Sequence, residues 1–338
     1  MSDTTIGSPE IVAAAVRQGL ELPNAEVTGA KLLVGGAMHD SWAADFGADQ
    51  LVVRLSPPAR DDAAKSRAEF AVMKAAYERG CRSPRPIFVG ENQRGQTFML
   101  MTRMPGDTNP RQLTTSPDFA HAREALVQHL AEDVAKLHTI RPDEIDVPMR
   151  RPEPGEDPLL SSALGQIVEY DKQKLSPHPV VEFGLRYVIK NVPSLRPQTR
   201  PVHVVHGDLR TGNIMYDSNG LTAMLDWEGT HFGEAEEDLT WFCTRVWRFN
   251  RKDLAAGGVA DRETWIRAYE RYSGHSIDRE RLRLWEVLQN VRWSVITMMQ
   301  ARQHMDHVMD SHEHAAIGRR GADTELEVLR LISGREVA

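Results

Sequence analysis

The feature that most constrains the fold is a strand, a loop and a hairpin beyond the middle of the chain. Residues 201–205 are rich in β-branched side chains, which predicts a strand leading into the loop. The apolar runs 214–216 and 221–225 flank a Ser-Asn-Gly turn, a pattern typical of a β-hairpin. If the two runs pair antiparallel, Asn213 and Asp226 lie near each other at the open end of the hairpin, where an oxygen of each can reach one cation.

The loop before this hairpin has the spacing His-x-Asp-x-x-x-x-Asn, with His206, Asp208 and Asn213. This spacing occurs in kinase catalytic loops, where the Asp takes up the proton of the acceptor hydroxyl and the Asn helps to hold magnesium. It predicts Asp208 as a catalytic residue and Asn213 and Asp226 as ligands of Mg2+, with ATP supplying further oxygens. The alternative is a set of unrelated polar residues, which is disfavoured because all of them occur in order around one hairpin.

A glycine pair near the N-terminus predicts a turn that covers phosphates. Residues 31–36 form an apolar strand that ends in Gly35 and Gly36. Glycines let the backbone approach a ligand closely and offer N–H groups to phosphate oxygens. Two adjacent glycines are also a common hairpin turn, so this signal is weak by itself.

Arg54 and Glu69 are a candidate ion pair of a nucleotide site. Arg54 lies in the alternating strand 51–55, and Glu69 lies in the predicted helix 63–79. In kinases a strand cation contacts the α- and β-phosphates and is held by a helix carboxylate. Here the cation is Arg instead of Lys, so a planar guanidinium replaces a compact ammonium group. The alternative is a solvated Arg and a surface Glu, the usual state of charged side chains.

An apolar strand at 98–101 is followed by a Pro-Gly break, which predicts a hinge between two lobes. We expect residues 1–104 to form a nucleotide-binding lobe and residues 105–338 to form a catalytic and substrate-binding lobe. Pockets between domains usually hold flat ligands by apolar packing. The adenine would then lie against the hinge residues Met101, Arg103 and Met104.

From residue 118 onward the periodicity is mostly helical. Apolar residues recur at three- and four-residue spacing through 119–138. The other predicted helices are 180–191, 236–249, 263–272, 280–303 and 314–332, and the Pro-rich segment 142–158 is predicted to be a loop. A β-rich first part and a helical second part predict an α+β fold.

Composition excludes several classes of protein. The chain has 338 residues and a net charge of −7, which argues against broad nucleic-acid binding. Its two cysteines, Cys81 and Cys243, match no zinc or redox spacing. The sequence shows no secretory leader and no apolar stretch of membrane length, so we expect a cytoplasmic protein with no membrane partner. No oligomeric state is predicted.

Together these motifs resemble those of the aminoglycoside phosphotransferase and choline kinase family, whose members share a two-lobed, protein-kinase-like fold. More narrowly, the chain is similar to kinase domains related to those fused to acyl-CoA dehydrogenases. The segments with this likeness are 54–55, 205–213, 225–228, 247–249, 284–286 and 292–293. The resemblance implies transfer of the γ-phosphoryl group of ATP, with Mg2+, to a hydroxyl of a small molecule.

The resemblance also implies roles for further residues. Arg210 would approach the γ-phosphate, Glu228 would position water or a second metal ion, and Asp238 would brace the catalytic loop by hydrogen bonds. The chain departs from the family pattern in two places. Met-His follows the glycines where many relatives have Ser-Asn, and Glu234 stands where relatives usually have Asp.

The acceptor is less constrained than the reaction. The subgroup resemblance implies a hydroxyacyl-CoA, whose acyl chain and phosphates would suit an apolar pocket with cations nearby. Candidate lining residues are Trp285, Trp293, Met298 and Met299, with Arg245, Arg248 or Arg292 close by, although Trp and Met residues more often pack helices. A polycationic aminoglycoside would need acidic residues. Glu234, Glu236 and Glu237 are candidates, although an acidic run is more often a solvated helix start.

Two other classes of function are weighed against this hypothesis. A protein kinase is disfavoured, because the segment between Asp226 and Asp238 is too short to receive a polypeptide and no Ala-Pro-Glu motif follows. A nucleotide-binding pseudokinase with a regulatory role is suggested only by Arg54 and the altered glycine loop. A metal site is not predicted in the tract containing His304, His307, His312 and His314, which has no acidic or Cys partner to complete a ligand set.

Overall fold

The N-terminal part of the chain folds around a five-stranded antiparallel sheet. The computed structural model describes residues 6–33, 39–57, 62–194, 201–308 and 311–335. The strands are β1 (Thr28–Leu32), β2 (Asp40–Phe46), β3 (Asp49–Leu55), β4 (Pro86–Glu91) and β5 (Thr97–Thr102), paired in the order β1-β2-β3-β5-β4. The predicted strands at 51–55 and 98–101 are confirmed, and β3 lies at the centre of the sheet.

Helix α1 (Pro9–Leu20) packs against one face of this sheet. It begins after Ser8, whose hydroxyl accepts a hydrogen bond from the Ile11 N–H, and proline occupies its first position, where no N–H is needed. Its buried side chains join a cluster that includes Val53 and Leu55 of β3. The sequence analysis does not predict this helix.

Helix α2 (Ala63–Glu78) lies on the other side and confirms the predicted helix 63–79. Its N-cap is Asp62, whose carboxylate accepts hydrogen bonds from two N–H groups of the first turn. Side chains alternate along a strand, so Arg54 points to the side opposite Val53 and reaches α2. The guanidinium of Arg54 in the sheet therefore contacts α2, the helix that covers this face.

The rest of the chain is mostly helical. Its helices are α3 (Pro110–Thr115), α4 (Ala120–Leu137), α5 (Pro158–Gln173), α6 (Pro179–Asn191), α7 (Ala235–Cys243), α8 (Arg262–Ser273), α9 (Arg279–Met305), α10 (His312–Gly318) and α11 (Gly321–Ser333). Two short antiparallel pairs lie among them: β6 (His203–Val205) with β9 (His231–Gly233), and β7 (Ile214–Asp217) with β8 (Gly220–Met224). The α+β class, the central hairpin and the strand before the loop are therefore confirmed.

The predicted helix 236–249 is wrong in its second half. Helix α7 ends at Cys243, and a short 3-10 helix, Arg245–Arg248, follows. This change of direction brings Arg248 into the interior, where its guanidinium lies 3.2 Å from Glu327 and 3.7 Å from Glu286. The sequence pattern did not show this break, because Glu286 and Glu327, the partners of Arg248, lie far away in sequence.

The predicted helix 314–332 is also wrong as a single element. It is divided into α10 and α11 near Arg319, and both helices pack against α9. Gly318 lies so close to α9 that an added Cβ would be 2.7 Å from the Cβ of Ala301. The break between α10 and α11 lets both short helices pack along the long helix α9. Among the described residues, no helix has both the length and the apolar character needed to cross a membrane.

The segment after β5 is attached to the β7–β8 hairpin. The Asp107 N–H donates to Tyr216 O at 2.8 Å, and the Tyr216 N–H donates to Asp107 O at 3.0 Å. The Thr222 hydroxyl donates to Pro105 O at 2.7 Å. Gly106 has a φ of 125°, and a Cβ there would lie 2.5 Å from Tyr216 O. The segment between the lobes therefore contacts the hairpin that ends in Asn213 and Leu225.

Candidate active site

The loop after β6 is held from behind by a buried carboxylate of α7. Asp238 accepts hydrogen bonds from the His206 N–H at 2.7 Å and the Gly207 N–H at 2.8 Å, and His138 Nε2 lies 3.1 Å from its Oδ2. Burial opposes ionisation, but the His138 hydrogen bond and the nearby imidazoles outweigh it, so the pKa of Asp238 lies below its ordinary value. A fully buried carboxylate thus fixes the backbone that precedes Asp208.

Both carboxylate oxygens of Asp208 have fixed partners. Trp241 Nε1 donates to Oδ1 at 2.8 Å. Oδ2 accepts from Asn213 Nδ2 at 2.7 Å and from Arg210 Nε at 3.0 Å. The side chain is still 27% exposed, so a small molecule can reach a carboxylate whose direction is already set.

Asn213 and Asp226 lie at the open end of the hairpin, as the sequence pattern predicts. The Leu225 N–H donates to Asn213 O at 2.8 Å. Asp226 directly follows Leu225 in the chain, so this bond places it near Asn213. Asn213 uses Nδ2 to donate to Asp208, which leaves Oδ1 as its acceptor atom. Asp226 has a left-handed backbone, with φ 64° and ψ 66°.

The electrostatics around Asp226 suit a bound cation. Burial, with the nearby carboxylates Glu228 and Asp208, raises the pKa of Asp226 to about 6. Carboxylates gathered in a poorly solvated place repel each other unless a positive charge lies among them. Hard oxygen donors of this kind are those that Mg2+ prefers. The donor set at the end of the hairpin therefore fits this ion.

Arg54 and Glu69 form a two-contact ion pair between β3 and α2. Arg54 Nη1 lies 2.6 Å from Glu69 Oε1, and Nη2 contacts Oε2. Glu69 is 5% exposed. The alternative of two separately solvated charges is wrong, because the strand and the helix bury this pair between them.

Glu228 links the end of the hairpin to the first part of the chain. Its carboxylate lies 3.6 Å from His39 Nε2 and 3.9 Å from Lys65 Nζ. The nearby imidazole of His39 is the main reason that the pKa of Glu228 is lowered. Glu228 thus lies where residues from both lobes meet.

The remaining predicted nucleotide contacts are only partly described. Gly35 and Gly36 lie outside the described residues. Met101 is buried in β5 opposite Val52, and the Arg103 N–H donates to Gln50 O at 2.9 Å while its side chain is exposed. Met104 follows in the segment between the lobes and is half-buried.

A cluster of tryptophans lies beside Asp208, and only its member Trp293 was proposed from the sequence, as a lining residue of the acceptor pocket. Trp241 and Trp247 have ring centroids 5.6 Å apart, and Trp247 and Trp293 are 4.6 Å apart. The guanidinium of Arg210 lies 5.1 Å from the Trp247 ring. The signal for Trp241 was its position three residues after Asp238, which places both side chains on the side of α7 that faces the loop.

Arg292 was proposed for the acceptor, but its link to the catalytic loop was not predicted. Its guanidinium lies 4.4 Å from the Trp241 ring, and its Nη2 donates to Gly207 O at 3.1 Å. Its Nη1 lies 3.6 Å from Glu237, which is also 3.1 Å from His231. Burial opposes ionisation of Glu237, but His231 and two arginines outweigh it and lower its pKa to about 2.

The description of the acidic run as a solvated helix start is wrong. Glu234, Glu236 and Glu237 are 2%, 5% and 4% exposed. Glu234 accepts hydrogen bonds from Arg281 Nη2 at 2.7 Å and Trp285 Nε1 at 2.8 Å. Glu234 is thus paired inside the protein, with partners from α9, a helix distant in sequence.

Several residues proposed to line an acyl pocket are instead structural. Trp285 and Met298 belong to the core between α5, α6, α9 and α11. Arg248 is fully buried, and Arg245 lies 3.3 Å from Glu327. The packing interpretation of Trp285 and Met298 is therefore the correct one. Among the described residues, no group of three His, Cys, Asp or Glu side chains is placed to hold a metal ion, and this includes the His tract.

Comparison with known proteins identifies the family. Residues 29–285 match the sequence profile of the phosphotransferase enzyme family, known as APH. No curated protein matches this sequence significantly. A structure from Ralstonia eutropha JMP134, assigned provisionally as an aminoglycoside phosphotransferase, is 18% identical with a TM-score of 0.76, covering 97% of this chain and 98% of its own.

Two further structures have the same architecture. Aminoglycoside phosphotransferase APH(4)-Ia is 16% identical, with a TM-score of 0.63 and coverage of 96% of this chain and 99% of its own. The GDP and kanamycin complex of APH(2")-IIIa is 14% identical, with a TM-score of 0.62 and coverage of 94% and 98%. At these identities the likeness shows the fold alone. It confirms the predicted two-lobed, protein-kinase-like architecture.

Proposed function

Because this chain belongs to the phosphotransferase enzyme family, we propose that it transfers the γ-phosphoryl group of ATP, with Mg2+, to a hydroxyl of a small molecule. The observation that supports this most is the geometry of Asp208. Three donors, Trp241, Asn213 and Arg210, fix both of its oxygens beside the carboxylate of Asp226. An exposed and oriented carboxylate at this position favours a catalytic protein over a pseudokinase.

The nucleotide is proposed to bind between the lobes. Arg54, held by Glu69, is placed to contact the α- and β-phosphates, and a planar guanidinium can bind two oxygens at once. Two structures related to APH(4)-Ia hold ADP or AMP-PNP with hygromycin B, which supports a nucleotide site in this fold. The proposed contacts for the phosphates and the adenine are Gly35, Gly36, Met101, Arg103 and Met104.

Asn213 Oδ1 and the Asp226 carboxylate are the proposed ligands of Mg2+. When bound, this ion neutralises charge on the phosphates during transfer. Glu228 is proposed to act beyond these ligands, on a water molecule or a second ion. Asp238 is proposed to act only by positioning the loop, because its oxygens are already occupied by the loop N–H groups and His138.

The proposed reaction is an in-line displacement at the γ-phosphorus. The acceptor oxygen forms a bond to phosphorus, the bond to the bridging oxygen of ADP breaks, and Asp208 takes the hydroxyl proton. Arg210 would stabilise charge on the transferred group. Because the transition state is loose, positioning and charge stabilisation matter more than proton removal.

We propose a hydroxyacyl-CoA as the acceptor. The likeness to kinase domains fused to acyl-CoA dehydrogenases and the partly exposed Arg292 near the loop support this class. An aminoglycoside is the second candidate, favoured by the hygromycin B and kanamycin complexes of structures with this fold. We prefer the first candidate because Glu234 and Glu237 are buried and paired, and so are poorly placed to bind a polycation.

Two broader predictions remain part of this proposal. Residues 1–104 are the proposed nucleotide-binding lobe, and residues 105–338 are the proposed catalytic and substrate-binding lobe. We also propose that the protein works in the cytoplasm.

Asp208→Ala tests the proposed reaction. A general base contributes roughly 10²–10⁴-fold, so we expect turnover to fall by at least about 100-fold while the Kd for the ATP analogue AMP-PNP stays nearly unchanged. ADP formation with a panel of hydroxyacyl-CoAs, hydroxy acids, amino alcohols and aminoglycosides would be measured against a blank without acceptor. Asp143→Ala, at an exposed carboxylate that pairs with Arg141, is the matched control. Parental turnover in the Asp208 variant would overturn the assignment.

A further inference from the structure

A small cavity lies behind the catalytic loop, between the start of α5 and strand β9. Its volume is about 200 Å3. The side chains that give it its polar character are Arg150, Arg151, Ser161, Ser162, His231 and Glu237. A space of this size can hold a carboxylate or a phosphate group together with a few water molecules.

The cavity has an excess of positive charge and of hydrogen-bond donors. Two arginines and two serines line it together with one carboxylate residue, Glu237. That carboxylate is 4% exposed and already lies near His231, Arg150 and Arg292, at 3.1, 3.7 and 3.6 Å. Arg150, whose Nη2 also lies 2.5 Å from His231 Nε2, and Arg292 together outweigh this one negative charge. Arg151 adds a further positive charge at the rim.

The wall of the cavity touches the residue that precedes Asp208. A Cβ on Gly207 would lie 3.0 Å from His231 Nδ1 and 2.1 Å from Gly229 O, so no space separates the loop from β9. Arg292 connects the same two places, because it donates to Gly207 O and lies near Glu237. The cavity and the backbone of the catalytic loop therefore share one wall, so a group bound in the cavity lies close to the loop that carries Asp208.

A larger cavity, of about 610 Å3, lies away from the catalytic loop at the start of α9. Its arginines are already paired. Arg279 lies 2.7 Å from Glu270 and 3.0 Å from Glu263, and Arg262 lies 2.8 Å from Glu286. Volume alone would favour this cavity, but charge and position favour the smaller one.

We propose that the small cavity is the subsite for an anionic group of the acceptor, a carboxylate or a phosphate, bound by Arg150 and Arg151. This inference rests on the proposed function, and it adds that the phosphorylated molecule bears a negative charge at a distance from its reacting hydroxyl. Guanidinium groups suit both kinds of anion because they offer paired N–H donors to two oxygens. A polycationic acceptor would be repelled at this position.

The test is the double variant Arg150→Gln and Arg151→Gln. Arg150 is 61% exposed and Arg151 is also exposed, so the fold is expected to survive. Hydroxyhexanoyl-CoA, free hydroxyhexanoate, the neutral hydroxyhexanamide and kanamycin would be compared as acceptors. Arg141→Gln is the matched control, since Arg141 lies in the same segment, is 67% exposed and does not line the cavity.

For the anionic acceptors we expect the double variant to raise KM about tenfold or more, with kcat and the KM for ATP within about twofold of the parent. The neutral amide should not respond, and the control should behave as the parent. A response with the CoA thioester alone identifies a phosphate as the ligand, and a response with the free acid identifies a carboxylate. Kanamycin as the best acceptor, or an unchanged KM, would overturn the proposal.

A binding measurement separates this proposal from the proposed reaction. Calorimetric titration of the full chain with inorganic phosphate and with CoA needs no turnover. Weaker binding by the double variant than by the parent and the control supports the subsite, even if no acceptor is phosphorylated. Equal binding, or no binding to the parent, contradicts it. Loss of the reaction itself is detected independently by Asp208→Ala.

Discussion

At the scale of the residue, the orientation of Asp208 depends on a tryptophan. Trp241 Nε1 donates to Oδ1, while Asn213 and Arg210 occupy Oδ2. A neutral donor bound to an ionised acceptor forms a stronger hydrogen bond than a neutral pair does. If Asp208 acts as proposed, Trp241 is a positioning residue, because it contacts Asp208 and acts on the acceptor only through it.

Trp241→Phe should lower kcat by roughly 10- to 100-fold, because a hydrogen bond to a charged group contributes roughly 1.5–3 kcal/mol. The phenyl ring keeps the apolar packing, so the KM for ATP should not change. Steady-state ADP formation measures both values. Trp265→Phe is the control: this indole is also buried and donates to Leu239 O at 3.1 Å, away from Asp208. An equal loss of kcat in both variants would contradict the assigned role.

At the scale of the element, the segment after β5 can lie against the hairpin only because residue 106 is glycine. Its φ of 125° is rare for other residues, and a Cβ there would meet Tyr216 O at 2.5 Å. Any side chain must push the segment away from the hairpin. The position of the proposed adenine contacts would then change with respect to Asn213 and Asp226.

Gly106→Ala should lower the free energy of unfolding by about 2 kcal/mol more than Gly155→Ala. Gly155 has a φ of 88° but no atom within 4 Å of an added Cβ, so it shares the backbone strain without the clash. Urea unfolding of both variants gives the difference. The KM for ATP should also rise several-fold in the Gly106 variant alone. Equal stabilities would show that the contact with Tyr216 is unimportant.

Elements with strong local signals were predicted from the sequence. The β7–β8 hairpin has its turn residues, and α2 has its N-cap and its periodic apolar side chains. The end of α7 at Cys243 was not predictable, because it depends on the contacts that Arg248 makes with Glu286 and Glu327. These contacts exist only after distant helices have come together.

At the scale of the whole molecule, the candidate site too was predictable from local signals, but not where it depends on contacts between distant helices. Asp208, Asn213 and Asp226 were found by their spacing around one hairpin. The burial of Glu234 was not predicted from the sequence, because its partners Arg281 and Trp285 belong to α9. Residue types and spacing predict the proposed reacting groups, whereas the charge that surrounds them is decided by the packing of remote helices.

The pH dependence of stability is a second property of the whole molecule. Burial, with a smaller contribution from the neighbouring imidazoles of His138 and His275, lowers the pKa of His203 to about 4. The unfolded chain has an ordinary His pKa of about 6.5, so it binds more protons than the folded chain between these values. This contribution to stability is complete above about pH 6.5 and is lost as the pH falls toward 4.

His203→Gln should therefore reduce the loss of stability between pH 6.5 and 4, by up to roughly 1.4 kcal/mol per pH unit. Urea unfolding at several pH values gives the slopes for the parent and the variant. His121→Gln is the control, because His121 is exposed on α4. If the parent and the His203 variant lose stability equally as the solution is acidified, the buried imidazole is not responsible.

The tryptophan cluster gives the protein an optical reporter at its proposed acceptor site. Three of its seven tryptophans, Trp241, Trp247 and Trp293, lie beside one another next to Asp208, and two of them contact arginine guanidiniums. Indole emission is sensitive to neighbouring charges, so a molecule that displaces either guanidinium should change the intrinsic fluorescence. Compound collections could then be screened without nucleotide, isotope or coupling enzyme, and before any phosphorylated product has been identified.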